Sequence, residues 1–181
     1  MRLENSFDVD APLDASWRLL NDVPSVIPCL PGAELVDIVD ERTWTANLRV
    51  KLGPIALQFT TEIVRESVDE AARRVVLSVN AREARGRGSA QAKVESTLAA
   101  ADGRTRVSIV TELTLRGAVA QHGRTVVADV AARLTERFAS CIAAKLADSA
   151  APAPPPVPIG GLRLFLGALW RSLVGRVTTR R

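Results

Sequence analysis

The chain has no tyrosine, and its aromatic complement is three Trp and four Phe among 181 residues. A core with so few rings must be filled by Val, Leu, Ile and Ala. That suits an aliphatic interior better than an aromatic stacking platform of the kind that holds single-stranded nucleic acid. Histidine occurs once, at His122, and cysteine twice, at Cys29 and Cys141. One imidazole and two distant thiols cannot build a metal centre, so no metal site is expected. Neither cysteine belongs to a Cys-x-x-Cys pair or a disulfide framework, and both are expected to be free, buried thiols that behave as small hydrophobes. No run reaches the roughly 20 apolar residues needed to span a bilayer. The opening Met1-Arg2-Leu3-Glu4-Asn5 is not followed by the apolar region of a signal peptide. The body is therefore expected to be cytoplasmic.

Acidic residues are missing altogether beyond Asp148, where Arg163, Arg171, Arg176, Arg180 and Arg181 lie. Removing these five from the 24 basic residues leaves 19 against 20 acidic, so the net +4 comes from the tail alone. A body without a basic surplus argues against nucleic-acid binding. The chain divides into a body (1–148), a linker (149–160) and a tail (161–181). The linker has Pro152, Pro154, Pro155, Pro156 and Pro158, which predict an extended, semi-rigid segment.

In the body, a strand is expected around Leu3–Val9. After Pro12 comes a helical stretch with Trp17 and Leu20 on one side and Asp14 in its first turn, where a carboxylate complements the helix dipole. Pro24, Pro28 and Pro31 limit the next segment to about one braced helical turn. Alternation then takes over: Trp44, Ala46, Leu48, Val50 and Leu52; Leu57, Phe59, Thr61 and Ile63 after Gly53-Pro54; Val75, Leu77, Val79 and Ala81; Ala90, Ala92, Val94, Ser96 and Leu98; Val107, Ile109, Thr111, Leu113 and Leu115. Asp102-Gly103 is a favoured hairpin turn. About six antiparallel strands with one apolar face need a cover. Val119, Val126, Val130, Leu134, Phe138, Cys141 and Ile142 recur at helical spacing over about 28 residues and supply it. Ala46, Thr61, Ala90, Ala92, Ser96 and Thr111 are small or hydroxylated, so the helix would leave volume that a core normally fills. That face is either a packed core or the wall of a ligand cavity.

The order of elements resembles the helix-grip fold of the START-like (SRPBCC) superfamily, an α+β class with a curved antiparallel sheet wrapped around a long C-terminal helix. Four segments resemble the CoxG family of carbon monoxide dehydrogenase subunits. They are Trp17-Arg18-Leu19-Leu20-Asn21-Asp22 with Cys29-Leu30-Pro31-Gly32; Val50-Lys51-Leu52-Gly53-Pro54-Ile55; Gly86-Arg87-Gly88-Ser89-Ala90; and Gly103-Arg104-Thr105 with Leu115-Arg116-Gly117-Ala118-Val119-Ala120-Gln121-His122-Gly123. The resemblance implies an accessory role beside a molybdenum-containing dehydrogenase, an apolar pocket suited to a quinone (menaquinone among the candidates) and a C-terminal membrane tether. It implies no intrinsic cofactor. The expected ligand contacts are Val26, Ile27, Leu30, Leu48, Val50, Leu57, Phe59, Thr61, Ala92, Ser96, Thr111, Leu113, Val126, Val130 and Leu134. The segment Val26-Ile27-Leu30 is either a gate or a rigid corner.

The tail carries the strongest local pattern. Leu162, Leu166, Leu169, Trp170, Leu173, Val174 and Val177 share one helical arc, with Phe165, Arg171 and Arg176 beside it. Apolar bulk, an indole and cations together suit an interfacial helix on an anionic membrane surface. Leu162, Phe165, Leu166, Leu169, Trp170, Arg171, Leu173 and Arg176 are the expected membrane contacts, which would put the chain peripherally on the inner face of the cell membrane. Docking on a partner protein is the competing use of the same face. His122 has three open roles: general base, polar contact at a pocket mouth, or surface cap. No catalytic residues are expected. The expected function is a quinone carrier between the membrane and the dehydrogenase; the alternatives are an anchor without a ligand and an enzyme of the cyclase type.

Overall fold

In the computed structural model, residues 1–52, 55–117, 120–121 and 123–150 are described. The expectations for Gly53-Pro54, Ala118-Val119, His122, the proline-rich segment from Ala151 and the tail lie outside the described residues. Strand β1 (Arg2–Val9) leads into helix α1 (Leu13–Asn21), the single-turn helix α2 (Val23–Val26) and a 3-10 turn (Ile27–Cys29). Six strands follow: β2 (Ala33–Ile38), β3 (Thr43–Leu52), β4 (Ile55–Asp69), β5 (Arg74–Glu83), β6 (Gly88–Ala101) and β7 (Arg104–Gly117). Helix α3 (Gly123–Ala150) closes the body.

All seven strands form one antiparallel sheet in the order β1-β7-β6-β5-β4-β3-β2. Short hairpins make neighbours of strands consecutive in sequence, while β1 is placed beside β7 by tertiary pairing. Asp102 and Gly103 both have positive φ, 49° and 79°, the conformation of the tight hairpin turn expected there. Strand β2 was not marked by the alternation, and its register shows why. A bulge between Leu35 and Asp37 breaks the two-residue period, leaving Val36 and Ile38 both exposed.

Helix α1 is tied to the sheet by side chains that reach across it. Trp17 is buried with Leu98 and Val107. Arg73 lies 5.5 Å over the Trp17 ring and pairs with Asp14, while Arg65 lies 5.0 Å over Trp44 and donates to the Asn21 carbonyl. Thr105, fully buried, donates its hydroxyl to the Ala11 carbonyl at 2.8 Å. The two halves of α3 are used differently. Its C-terminal half packs tightly, with Ile142 and Leu146 buried against Val9, Ala11 and Cys29 and Phe138 edge-on to Phe7 at 6.0 Å. Its N-terminal half leaves Val127, Val130 and Leu134 only half-buried, because the sheet beneath them does not rise to meet them.

Candidate functional site

The residues opposite one another on the inner face explain that gap. Ala46 on β3 faces Thr61 on β4, which faces Ala81 on β5, then Ala90 on β6 and Leu115 on β7. Three alanines and a threonine in one cross-strand row hold the floor low. The adjoining row, Ile63, Val79, Ala92 and Leu113, is only slightly taller. A curved sheet cannot close such a floor onto a helix, and a cavity of about 440 Å³ remains between them. That volume falls within the range of small-molecule sites, roughly 300–1,000 Å³.

The wall is almost wholly apolar. Its polar members are Asn5, Thr61, Ser96, Thr111 and Thr135, and none of its described side chains is ionisable. The Thr135 hydroxyl is already used within α3, donating to the Ala131 carbonyl at 2.9 Å. Thr61 is different: its side chain is buried and its hydroxyl has no hydrogen-bond partner.

Of the residues expected to touch a ligand, Val26, Ile27, Leu30, Leu48, Val50, Leu57, Phe59, Thr61, Ala92, Ser96, Thr111, Leu113, Val130 and Leu134 all lie on the cavity wall. Val126 does not. It is 43% exposed, and Val127 takes the inward place. A row traced from Phe138 toward the N-terminus by fours drifts about 40° per step on a helix of 3.6 residues per turn, so by Val126 it has wound off the inner face. Sequence reasoning also missed Leu3 and Asn5, which β1 contributes through its pairing with β7. Their alternation with Phe7 was a usable signal, but the position of β1 in the sheet was not.

The segment above the cavity is a braced corner. Asp22 caps α2 by accepting from Ser25, and Val23 and Ile27 are buried against Trp44, Ala46 and Ile63. Gly32, at φ +82°, lies so close to β3 that a β-carbon there would stand 2.3 Å from the Arg49 carbonyl oxygen. The cysteines overturn the expectation of free thiols: Cys29 and Cys141 are joined in a disulfide, with α-carbons 5.4 Å apart. Cys141 lies one turn beyond the wall residue Phe138, and Cys29 lies between the wall residues Ile27 and Leu30. The bond therefore fastens the corner to α3 beside the cavity. Residues 112 positions apart are brought together only by the packing of α3.

The basic loop Arg82–Arg87 is partly self-satisfied. Glu83, buried at the end of β5, accepts from the Arg87 guanidinium at 3.0 Å and from the backbone N–H groups of Arg85 and Arg87 at 2.9 and 3.1 Å. The Arg87 hydrogen bond, chiefly, holds the Glu83 carboxyl down at about 2 against the opposing effect of burial. Among the described residues, no group of His, Cys, Asp and Glu is placed to hold a metal ion, and no helix is long and apolar enough to cross a membrane.

The fold is shared with solved structures of low sequence identity. A conserved protein from Geobacillus kaustophilus is 20% identical, with a TM-score of 0.73 over 82% of this chain and 97% of its own. The Zhui aromatase/cyclase from Streptomyces sp. R1128 is 16% identical, with a TM-score of 0.59 over 81% and 93%. A START superfamily protein from Mycobacterium smegmatis is 10% identical, with a TM-score of 0.55 over 81% and 97%. These likenesses establish the START-like helix-grip fold and nothing finer. No curated protein matches the chain in sequence. The family model of the carbon monoxide dehydrogenase protein CoxG matches residues 6–147, from the middle of β1 to the last turn of α3. This chain therefore belongs to the CoxG family of carbon monoxide dehydrogenase subunits.

Proposed function

We propose that this chain is a non-enzymatic carrier. It holds an apolar, lipid-like molecule, a quinone, in the cavity between sheet and helix and shuttles it between a membrane and a molybdenum-containing, CO dehydrogenase-type oxidoreductase. The observation that carries this reading is the cavity of about 440 Å³ with an apolar wall that has no ionisable side chain among the described residues. Such a wall favours burial of hydrocarbon, at about 25 cal/mol per Å² of apolar surface. It offers no acid, base or nucleophile for chemistry on what it holds, so reduction of the quinone belongs to the oxidoreductase. The family membership supports that partner. The arginine-rich, apolar sequence of 161–181 supports the membrane end of the route.

The test is organic extraction and native mass spectrometry of the full-length protein, beside Ala90→Trp. Ala90 lies on the cavity floor, so the indole would occupy the ligand's space. Inserting an indole into a filled core would cost stability, by about 1–3 kcal/mol or more, whereas a cavity accepts it with little loss. A quinone-sized lipid on the wild-type chain, lost from a variant that still melts near the wild-type temperature, is the expected result. A wild-type chain that carries no lipid and refuses added quinone would overturn the carrier reading and favour an anchor or recruitment module for the dehydrogenase.

A further inference from the structure

We propose that Thr61 selects the ligand, by donating its hydroxyl to a carbonyl oxygen of a quinone ring lying on the alanine floor; this rests on the carrier reading. Thr61 is 4% exposed and lines the cavity, yet its hydroxyl meets no acceptor or donor. Buried hydroxyls are ordinarily paired, as that of Thr105 is with the Ala11 carbonyl. The neighbours of Thr61 across the sheet are Ala46 and Ala81. Neither side chain can hydrogen-bond.

A buried water would be a poor partner, because it needs two to four polar contacts and the two alanines supply none. The group that satisfies Thr61 must therefore arrive on a molecule that is apolar everywhere else. Rotation of χ1 by one staggered well exchanges methyl and hydroxyl at the cavity wall. A hydroxyl there both donates and accepts, so it can meet a quinone carbonyl and, after reduction, the corresponding quinol hydroxyl. The other polar wall residues are placed elsewhere. Thr111 stands on β7, three strands away in the sheet order, and Ser96 faces Val75, six residues along β5 from Ala81. Thr61 is thus an isolated polar point on an apolar floor, where one hydrogen bond fixes which end of a ligand lies deepest.

The probes are 2-decyl-1,4-naphthoquinone and 2-decylnaphthalene, which differ in the carbonyls. Each is titrated by displacement of 1-anilinonaphthalene-8-sulfonate from the full chain, from Thr61→Val and from Thr61→Ser. In Thr61→Val the quinone should weaken about tenfold, near the upper end for one neutral hydrogen bond, while the naphthalene is unchanged. Thr61→Ser should keep the quinone affinity within about twofold. The ligand-free Thr61→Val protein should melt no lower than wild type, since it loses only an unpaired hydroxyl. The infrared carbonyl stretch of bound quinone should lie lower in wild type and Thr61→Ser than in Thr61→Val. Equal loss of both probes in Thr61→Val, or a carbonyl band that does not move, would overturn the role of Thr61 and leave the carrier standing. Failure of both probes to bind wild type would overturn both.

Discussion

Reducing the Cys29–Cys141 bond should cost this protein a large part of its stability. The bond closes a loop across 112 positions, from the corner before β2 to the third helix. By the chain-entropy relation, a loop of that length restrains the unfolded chain by about 4.8 kcal/mol at 25 °C. With a urea dependence of about 2 kcal/mol per molar, the unfolding midpoint should fall by about 2.4 M. The assay is urea unfolding followed by Trp fluorescence, with and without reductant, and on the double variant Cys29→Ala with Cys141→Ala. The variant should fall slightly further, since Cys29 is buried in the cluster with Val9, Ile142 and Leu146 and its sulfur also packs there. Alkylation of the unfolded protein should label neither cysteine until reductant is added. Two labels without reductant, or a midpoint that moves by less than about 0.5 M, would refute the reasoning. The compartment bears on the outcome: a reducing cytoplasm opposes such bonds, although Cys29, 3% exposed, is poorly placed for attack.

Glu83 and the inward face of α3 can be tested in the same way. Glu83 is held at about 2 in the folded chain against an ordinary value of 4.5. A depressed carboxyl contributes stability that is complete above the unfolded value and lost as pH falls through the folded one. Its share should therefore disappear between about pH 4.5 and about pH 2, and Glu83→Gln should flatten the fall of Tm in that window; an unchanged slope would refute the assignment. On α3, Val126→Asp should shift stability by no more than about 0.5 kcal/mol, as exposed substitutions do, and should leave probe displacement intact. Val127→Asp puts a carboxylate in the cavity wall and should abolish displacement; equal effects of the two would show that the inward face has been assigned wrongly.

The legible part of this protein was its periodicity. Alternation from Trp44 to Leu115 named five strands and nearly all of the inner face, because a half-buried strand must repeat every two residues. Strand β2 escaped because its bulge breaks that period. The helical row from Phe138 back to Val126 misjudged its last turn because spacing by fours is not the period of an α-helix.

What the sequence determined by itself was local: which residues alternate, where turns interrupt them, where the acids end, and that the inner face carries alanines where a core would carry bulk. Packing decided the rest. Only the curvature of the sheet under α3 shows that the small side chains leave a cavity. Only the register between β3, β4 and β5 shows that Thr61 lies between two alanines with nothing to bond. Only the docking of α3 brings Cys141 to Cys29. Contacts between residues far apart in the chain leave no periodic trace, so they become visible only when the elements are packed together.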